Sequence, residues 1–544
     1  MKRVVVLVVL ACVLVFIYDS VSVAETVDRY GGTLKWRIVA DPPRPDPAQA
    51  TDTTSTMVIF KYAEGLVKTD PDTMEILPSL AESWEVNDDA TRWTFHLRKG
   101  VHFQKEAGGE PTLNGGREMV ASDVKYSFER HLKMNSPRMT RLESILGYQD
   151  FLDGKSDSWE GIDVLDDHTV KFTLSKPFVP FLINLTQAYF VIVPREDCEK
   201  WGKDFVFHPV GTGPFVFKSW VHDSKYIMKR NPDYWRKDEE GGSLPYLNGV
   251  EYVVIPDNAI AYMEFKKANL DVMPDIPDAF YEKVKGNYKP KGLMVEKPWT
   301  GVYYYGFNLM GPPFGDNPTL RRALNYAIDR EALNDLVING RYVPADGVTP
   351  PGFFPYEKPI KGYGYDPKKA KALLAEAGYA DGFKTVLQIN NDQRHRSLGE
   401  AIQAQMRDIG VDMSIRVVDW GVHLDTLARG EFEIFRLGWI ASPDPDSFLY
   451  DLLHSSNWGG KGNRARYKND KVDDLLERAR AETDPKARMT LYNEAEQIIV
   501  DDAPWLFLFN YTSSMAWNDS VKGLVLHSAG PDTCDLSVVW KTSK

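Results

Sequence analysis

The chain has 544 residues, too many for a single hydrophobic core, so two or three lobes are expected. A formal net charge of −12 disfavours nucleic acid and anionic lipid as partners. Aromatic residues make up 12% of the chain, with 14 tryptophans, a content that fills cores and also suits a pocket that grips ligands by stacking and shape.

The N-terminus reads as a Sec-type signal peptide over residues 1–24. Lys2 and Arg3 precede an apolar run from Val4 to Ile17, and Ser22-Val23-Ala24 supplies the small residues of a cleavage site. A retained anchor would want about 20 apolar residues, and Asp19 interrupts this run. Cys12 lies inside the apolar stretch with Val13 to Ile17 still to come, so a membrane-anchored lipoprotein ranks below plain secretion to the periplasm. Cys198 and Cys534 remain after cleavage. They are far apart and outside any metal-type spacing, and they read as isolated buried thiols, a disulfide being permitted but not implied.

Leu34 to Val39 is strand-like and breaks at Asp41-Pro42-Pro43-Arg44-Pro45, a surface loop at a strand end. Thr56 to Leu66 has helical character. Trp93 to Leu97 alternates with Trp93, Phe95 and Leu97 on the core face, Ser122-Asp123 is a candidate N-cap for a helix carrying Val124, Phe128 and Leu132, and Val170 to Leu174 is a second alternating strand. These elements make an α+β unit. Gly211-Thr212-Gly213-Pro214-Phe215 is a turn before a strand and lacks the spacing and the Lys-Ser/Thr of a phosphate loop. Val250 to Pro256 is a strongly apolar strand.

From Lys297 onward the pattern is α/β. Tyr303 to Asn308 reads as a buried strand, followed by helices capped by Asn317, Asp329 and Asp366. Strand Thr385–Ile389 leads to a helix around Ala401 to Ile409, and Val411 to Val418 is again a strand, running into Asp419-Trp420. Helices from Asp470 and Asp484-Pro485 precede a last buried strand, Trp505 to Phe509. The most compact combination lies between Phe432 and Leu449. There a buried strand ends past Trp439 in a turn fixed by Pro443 and Pro445, which carries Asp444 and Asp446 before a short helix. That loop is a candidate ligand contact; a Pro-Asp turn with a helix cap is the plainer alternative.

No Gly-x-Ser-x-Gly elbow, His-Glu-x-x-His or paired-cysteine site marks an enzyme, and a secreted hydrolase is a remote alternative. The ten histidines are scattered, His395 between Arg394 and Arg396 reads as solvated, and no metal or cofactor is expected.

Several motifs resemble one family. They are Gly65-Leu66 with Pro78-x-Leu80-Ala81-x-x-Trp84, Trp93-Thr94-Phe95-His96-Leu97-Arg98, Gly211-Thr212-Gly213-Pro214-Phe215 with Arg230-Asn231-Pro232-x-Tyr234-Trp235, Arg321-Arg322-Ala323-Leu324, Tyr365-Asp366-Pro367 and Gly438-Trp439. Together the chain resembles the family 5 extracellular solute-binding proteins of ATP-driven importers, the dipeptide, oligopeptide and nickel-binding group. The resemblance implies an α/β, two-lobed periplasmic-binding-protein-like fold that closes by a hinge, with an inserted third domain. One lobe would comprise residues 25–66, 206–277 and 505–544, the insertion 67–205 and the other lobe 278–504. It also implies a monomer that delivers a small-molecule or peptide ligand to an inner-membrane permease of the ABC type.

Peptide-binding relatives place an aspartate three residues after the tryptophan of the Gly-Trp motif, facing the peptide's α-ammonium. Ser442 stands there in this chain, and a hydroxyl cannot serve as the counter-ion of a buried ammonium. By similarity Arg436 lines the pocket, Trp420 packs on a ligand side chain, and Gly438 and the Ala40-Asp41-Pro42 strand end offer backbone groups. Trp420 and Trp439 have a core alternative and Arg436 an ion-pair alternative. Peptide is the first expectation and oligosaccharide the second.

Overall fold

The computed structural model describes residues 28–351 and 358–542; the expected signal peptide and Cys12 lie outside them. One eleven-stranded sheet runs through the molecule. Its strands are β1 (Thr33–Ile38), β2 (Phe215–Val221), β3 (Lys225–Arg230), β4 (Gly249–Val254), β5 (Val272–Pro274), β6 (Met294–Phe307), β7 (Val343–Pro344), β8 (Phe383–Asn390), β9 (Val411–Val418), β10 (Ile434–Ile440) and β11 (Trp505–Trp517). They are ordered β2-β3-β4-β1-β5-β11-β6-β10-β8-β9, with β7 also on β11.

Two long central strands join the halves. Met294–Pro298 of β6 pairs with Thr512–Ala516 of β11, and Val302–Gly306 pairs with Trp505–Asn510, with a register break around Trp299–Gly301 between them. Only the apolar ends of both strands, Tyr303 to Asn308 and Trp505 to Phe509, carry a strand pattern in the sequence. Lys297-Pro298 and Thr512-Ser513-Ser514 break the alternation, so the crossing segment carries no strand signal.

Separate cores are built on this sheet and on a second, smaller one. On one half Trp36, Tyr62, Tyr226, Tyr252 and Met515 pack around helix α1 (Thr53–Tyr62). A separate four-stranded antiparallel sheet, Ala81–Val86, Arg92–Leu97, Thr169–Thr173 and Ile162–Asp166, packs Phe95 and Phe172 against Phe128 of α2 (Ala121–Lys133). Asp123 sits inside α2 and accepts the Val120 N–H at 3.0 Å, so the helix starts slightly before the expected cap. On the other half of the large sheet the two faces are buried separately, Tyr303, Tyr305 and Phe307 on one and Tyr304, Phe435 and Trp505 on the other.

The helices of this half are α3 (Pro318–Tyr326), α4 (Arg330–Ile338), α5 (Pro367–Glu376), α6 (Gln393–Asp408), α7 (Trp420–Arg429), α8 (Asp446–Leu453), α9 (Asp470–Ala481) and α10 (Pro485–Asp502). Asn317, Asp329, Asp366 and Asp484 cap α3, α4, α5 and α10 through their side chains, as the sequence predicts. Helix α6 begins eight residues before the predicted Ala401, behind the cap Asp392. That early start carries His395 inward. It is 9% exposed, with Nδ1 3.2 Å from Tyr303 Oη, which corrects the expectation that it is solvated. Cys198 and Cys534 are both buried and free.

The Gly-Thr-Gly-Pro and Asn-Pro-x-Tyr-Trp motifs serve packing. The Glu64 carboxylate accepts hydrogen bonds from Thr212 Oγ1 at 2.9 Å, Tyr234 Oη at 2.8 Å and Trp235 Nε1 at 2.9 Å. A Cβ at Gly211 or Gly213 would run into Ala63 and Tyr62 at 2.5–2.6 Å, so glycine alone lets the two chain segments cross here.

Candidate ligand-binding cleft

Strands β1, β4 and β5 are parallel to one another, as are β8, β9 and β10. Pro274, at the end of β5, is level with Met515, whose partner on β6 is Val295, and Ile440, at the end of β10, is level with Gly301. Both sets of carboxyl ends therefore converge on the register break of the central strands. Carboxyl ends of parallel strands are where α/β sheets bind ligands, because helix N-termini and loops collect there. Val39, Trp420 and Ile440, just beyond or at the ends of β1, β9 and β10, are 56%, 50% and 45% exposed.

The outer edge of β10 is half empty. Strand β8 pairs only with Ile434 and Phe435. The Glu433 carbonyl takes the Asn308 N–H and the Ala441 N–H goes to the Thr300 carbonyl, so odd-numbered residues turn their peptide groups toward β6. His423 Nε2 donates to the Arg436 carbonyl at 2.8 Å on the opposite side. By the same alternation Gly438 and Ile440 turn their peptide groups to the open edge, where an added strand can pair.

Arg436 lies next to this edge, 8% exposed. Its Nη1 donates to Asn390 Oδ1 and its Nη2 to Tyr511 Oη, both at 3.3 Å, the guanidinium stands 4.5 Å from the Tyr303 ring centre, and Nε has no partner. Among the described residues no carboxylate lies within ion-pair distance of it. A Cβ at Gly438 would collide with the Tyr511 hydroxyl, so glycine makes the room that brings this phenol to Arg436. Burial and the Arg436 charge push His395 down to about 3, and burial also lowers His423, so both imidazoles stay neutral. The result is a buried cation among neutral groups, beside the N-terminus of α6.

The loop after β10 is arranged differently. Both Asp444 oxygens are taken by Arg488 of α10, at 2.8 and 2.9 Å, and Oδ1 also accepts the Asp446 N–H. Asp446 is buried, accepts from Tyr492 Oη at 3.2 Å and stands 3.2 Å from Arg480 Nε; burial, opposed by Arg480, pushes it up to about 7. Ser442 is buried, its carbonyl accepting the Asp444 N–H at 2.8 Å, and Trp439 Nε1 donates to the Ser447 carbonyl at 2.9 Å. Trp420 stands out of the core, stacked on His423 at 5.9 Å. The Asp41 carboxylate accepts Trp220 Nε1 at 3.1 Å and the Asp223 N–H at 2.8 Å.

The structure thus groups Arg436 and Gly438 with Asn390 and Tyr511, and Trp439 and Asp446 with Arg480 on α9. Asn390, Tyr511, Arg480 and Arg488 were not singled out in the sequence, since each reaches the site from a different element and no local spacing links them.

A family model described as bacterial extracellular solute-binding proteins, family 5 Middle, matches residues 75–460. Heme-binding protein A of Haemophilus influenzae is 34% identical over 472 residues, 84% of this chain and 83% of that protein. The dipeptide-binding protein of Escherichia coli is 32% identical over 478 residues, 84% of this chain and 85% of that protein. The solved structure of the ABC transporter-associated periplasmic binding protein DppA from Helicobacter pylori, in complex with peptide STSA, superposes with a TM-score of 0.75 at 31% identity, covering 95% of this chain and 99% of that one.

Proposed function

The chain belongs to the bacterial extracellular solute-binding proteins of family 5, and we propose that it captures short peptides between its two lobes and hands them to a membrane permease. The observation that carries the peptide reading is Arg436. A guanidinium buried without a counter-ion is costly, and a ligand carboxylate supplies the missing partner. The open edge of β10 at Gly438 and Ile440 offers main-chain hydrogen bonds, and exposed Trp420 and Ile440 offer apolar surface to side chains. A neutral oligosaccharide would use the aromatic surface but leave Arg436 uncompensated, which ranks it second. The activity is stoichiometric binding rather than catalysis.

We read residues 25–66, 206–277 and 505–544 as one lobe, 278–504 as the other and 67–205 as the insertion, supported by the separate cores around Trp36, Tyr303 and Phe95. Closure would bend β6 and β11 at Trp299–Gly301, where their register is already broken. Secretion to the periplasm by the N-terminal signal fits the family's extracellular assignment, and no helix among the described residues is long and apolar enough to cross a membrane.

The test is a thermal-shift screen of refolded protein against di- to pentapeptides, their C-terminal amides and oligosaccharides. A ligand at 100 times its Kd raises stability by about 2.7 kcal/mol. Peptides with a free carboxylate are expected to shift the transition and their amides to shift it less. A shift with oligosaccharides alone would overturn the peptide reading.

A further inference from the structure

Beside the register break of the central strands, an ion-pair cluster crosses from one half of the molecule to the other. Asp275 and Asp278 follow β5. The Asp275 N–H donates to the Ser514 carbonyl at 2.8 Å, and Tyr281 just beyond shares a core with Tyr262, Phe265 and Met273. These residues therefore pack with the lobe of β1, although Asp278 opens the 278–504 stretch. The two arginines that face them are anchored on the other side. Arg341 precedes β7, which pairs with Phe509 and Asn510 across the break from Ser514, and Arg394 lies in the first turn of α6. Their neighbours Tyr342 and Leu398 belong to the core around Tyr303.

Both arginines close on one carboxylate. Arg341 Nη1 donates to Asp278 Oδ1, its Nη2 donates to Asp275 Oδ1 at 3.1 Å, and its guanidinium lies 4.9 Å from the Tyr281 ring centre. Arg394 donates through Nε and Nη2 to Asp278 Oδ2 at 3.0 and 2.7 Å, and through Nη1 to Tyr342 Oη at 2.7 Å. Each oxygen of Asp278 thus takes its own guanidinium. The Arg341 side chain is 3% exposed and that of Asp278 35%, so water and salt screen this cluster less than a surface pair.

The cluster spans the cleft floor. Asp275 stands at the carboxyl end of β5 and Arg394 just past that of β8, on the ends that converge there. The same arrangement brings the walls into contact elsewhere. The insertion, tied to the lobe of β1 by Gln104 Nε2 on the Gly213 and Phe215 carbonyls at 3.0 and 2.9 Å, reaches α9, where the Val179 N–H donates to the Arg480 carbonyl at 2.8 Å. The cluster is therefore formed while the walls touch. Opening about Trp299–Gly301 would draw Asp278 from Arg394, because each is fixed in its own core.

We infer that Asp278, shared by Arg341 and Arg394, is a positioning residue that latches the lobes near their closed angle and sets ligand affinity without touching the ligand. Its loss moves the lobes toward the open arrangement, and a ligand that needs the closed one is weakened by the factor by which the closed population falls. The affinity arm of the test rests on the peptide reading above; the lobe angle does not.

The probe is Asp278→Asn, which leaves Asp275 on Arg341 and so strands no buried guanidinium. The full secreted chain, refolded free of ligand, is compared with the variant by small-angle X-ray scattering, and binding of the tightest member of a di- to pentapeptide panel is followed by surface plasmon resonance. The variant is expected to have the larger radius of gyration and to bind about three- to tenfold more weakly, with the loss in the dissociation rate and the association rate within about twofold. Arg394→Gln, which keeps both aspartates on Arg341, should act in the same direction, and adding it to Asp278→Asn should change little further. Asp278→Glu, which keeps the charge, should bind within about threefold of the wild-type protein. An unchanged radius of gyration in both Asp278→Asn and Arg394→Gln would overturn the latch, as would a more compact variant or one that binds more tightly. If no peptide of the panel binds, the peptide reading fails, and the scattering alone decides the latch.

Discussion

Arg488 and Arg436 are both buried guanidiniums in the same half of the large sheet, and they are satisfied in opposite ways. Arg488 grips Asp444 with two hydrogen bonds of 2.8 and 2.9 Å and adds the Ala479 carbonyl and Tyr492. Arg436 has two long hydrogen bonds to neutral groups and an idle Nε. The first arrangement pins the loop after β10 onto α10 and is architecture. The second leaves charge unspent at the carboxyl ends of the strands, where a ligand can spend it. Saturation of a buried charge, rather than its residue type, separates the two roles.

The largest effect that can break this contrast is on the saturated side. Asp444→Ala strands Arg488 and should lower stability by about 3–5 kcal/mol in urea unfolding; a loss within about 1 kcal/mol would mean the pair holds nothing. Arg436→Met should do the reverse, leaving the unfolding midpoint unchanged or raising stability by up to about 2 kcal/mol, because it removes an uncompensated buried charge. The smallest effect lies at His395, held neutral by burial and by Arg436. In Arg436→Met its titration followed by NMR should move up by at least about half a unit, and an unmoved His395 would show that the two do not sense each other.

Much of this was legible locally. The caps at Asn317, Asp329, Asp366 and Asp484, the turn at Pro443-Asp444-Pro445 and the helix after it follow from residue type and spacing, which act within a few residues. The partners were not legible. Asp444 and Arg488 are 44 residues apart, and the open edge of β10 exists because its pairing with β8 ends at Phe435, a register decided by tertiary packing. For the same reason Asp444 looked like a ligand contact until its arginine was placed. The Asp41 carboxylate is taken by Trp220 Nε1 and the Asp223 N–H, partners that no local spacing shows, which leaves the backbone groups expected of the Ala40-Asp41-Pro42 strand end untouched. The crossing strands β6 and β11 were read short because polar residues can lie in a strand when neighbours on both sides pair with it.

The most direct measurement is a cycle in which wild-type protein and Arg436→Met each bind one peptide and its C-terminal amide, with all four affinities read by calorimetry. Amidation is expected to cost the wild-type protein at least about tenfold, or 1.4 kcal/mol, and to cost Arg436→Met little or nothing. Equal penalties in both proteins would contradict it, because the carboxylate would then be held somewhere other than Arg436.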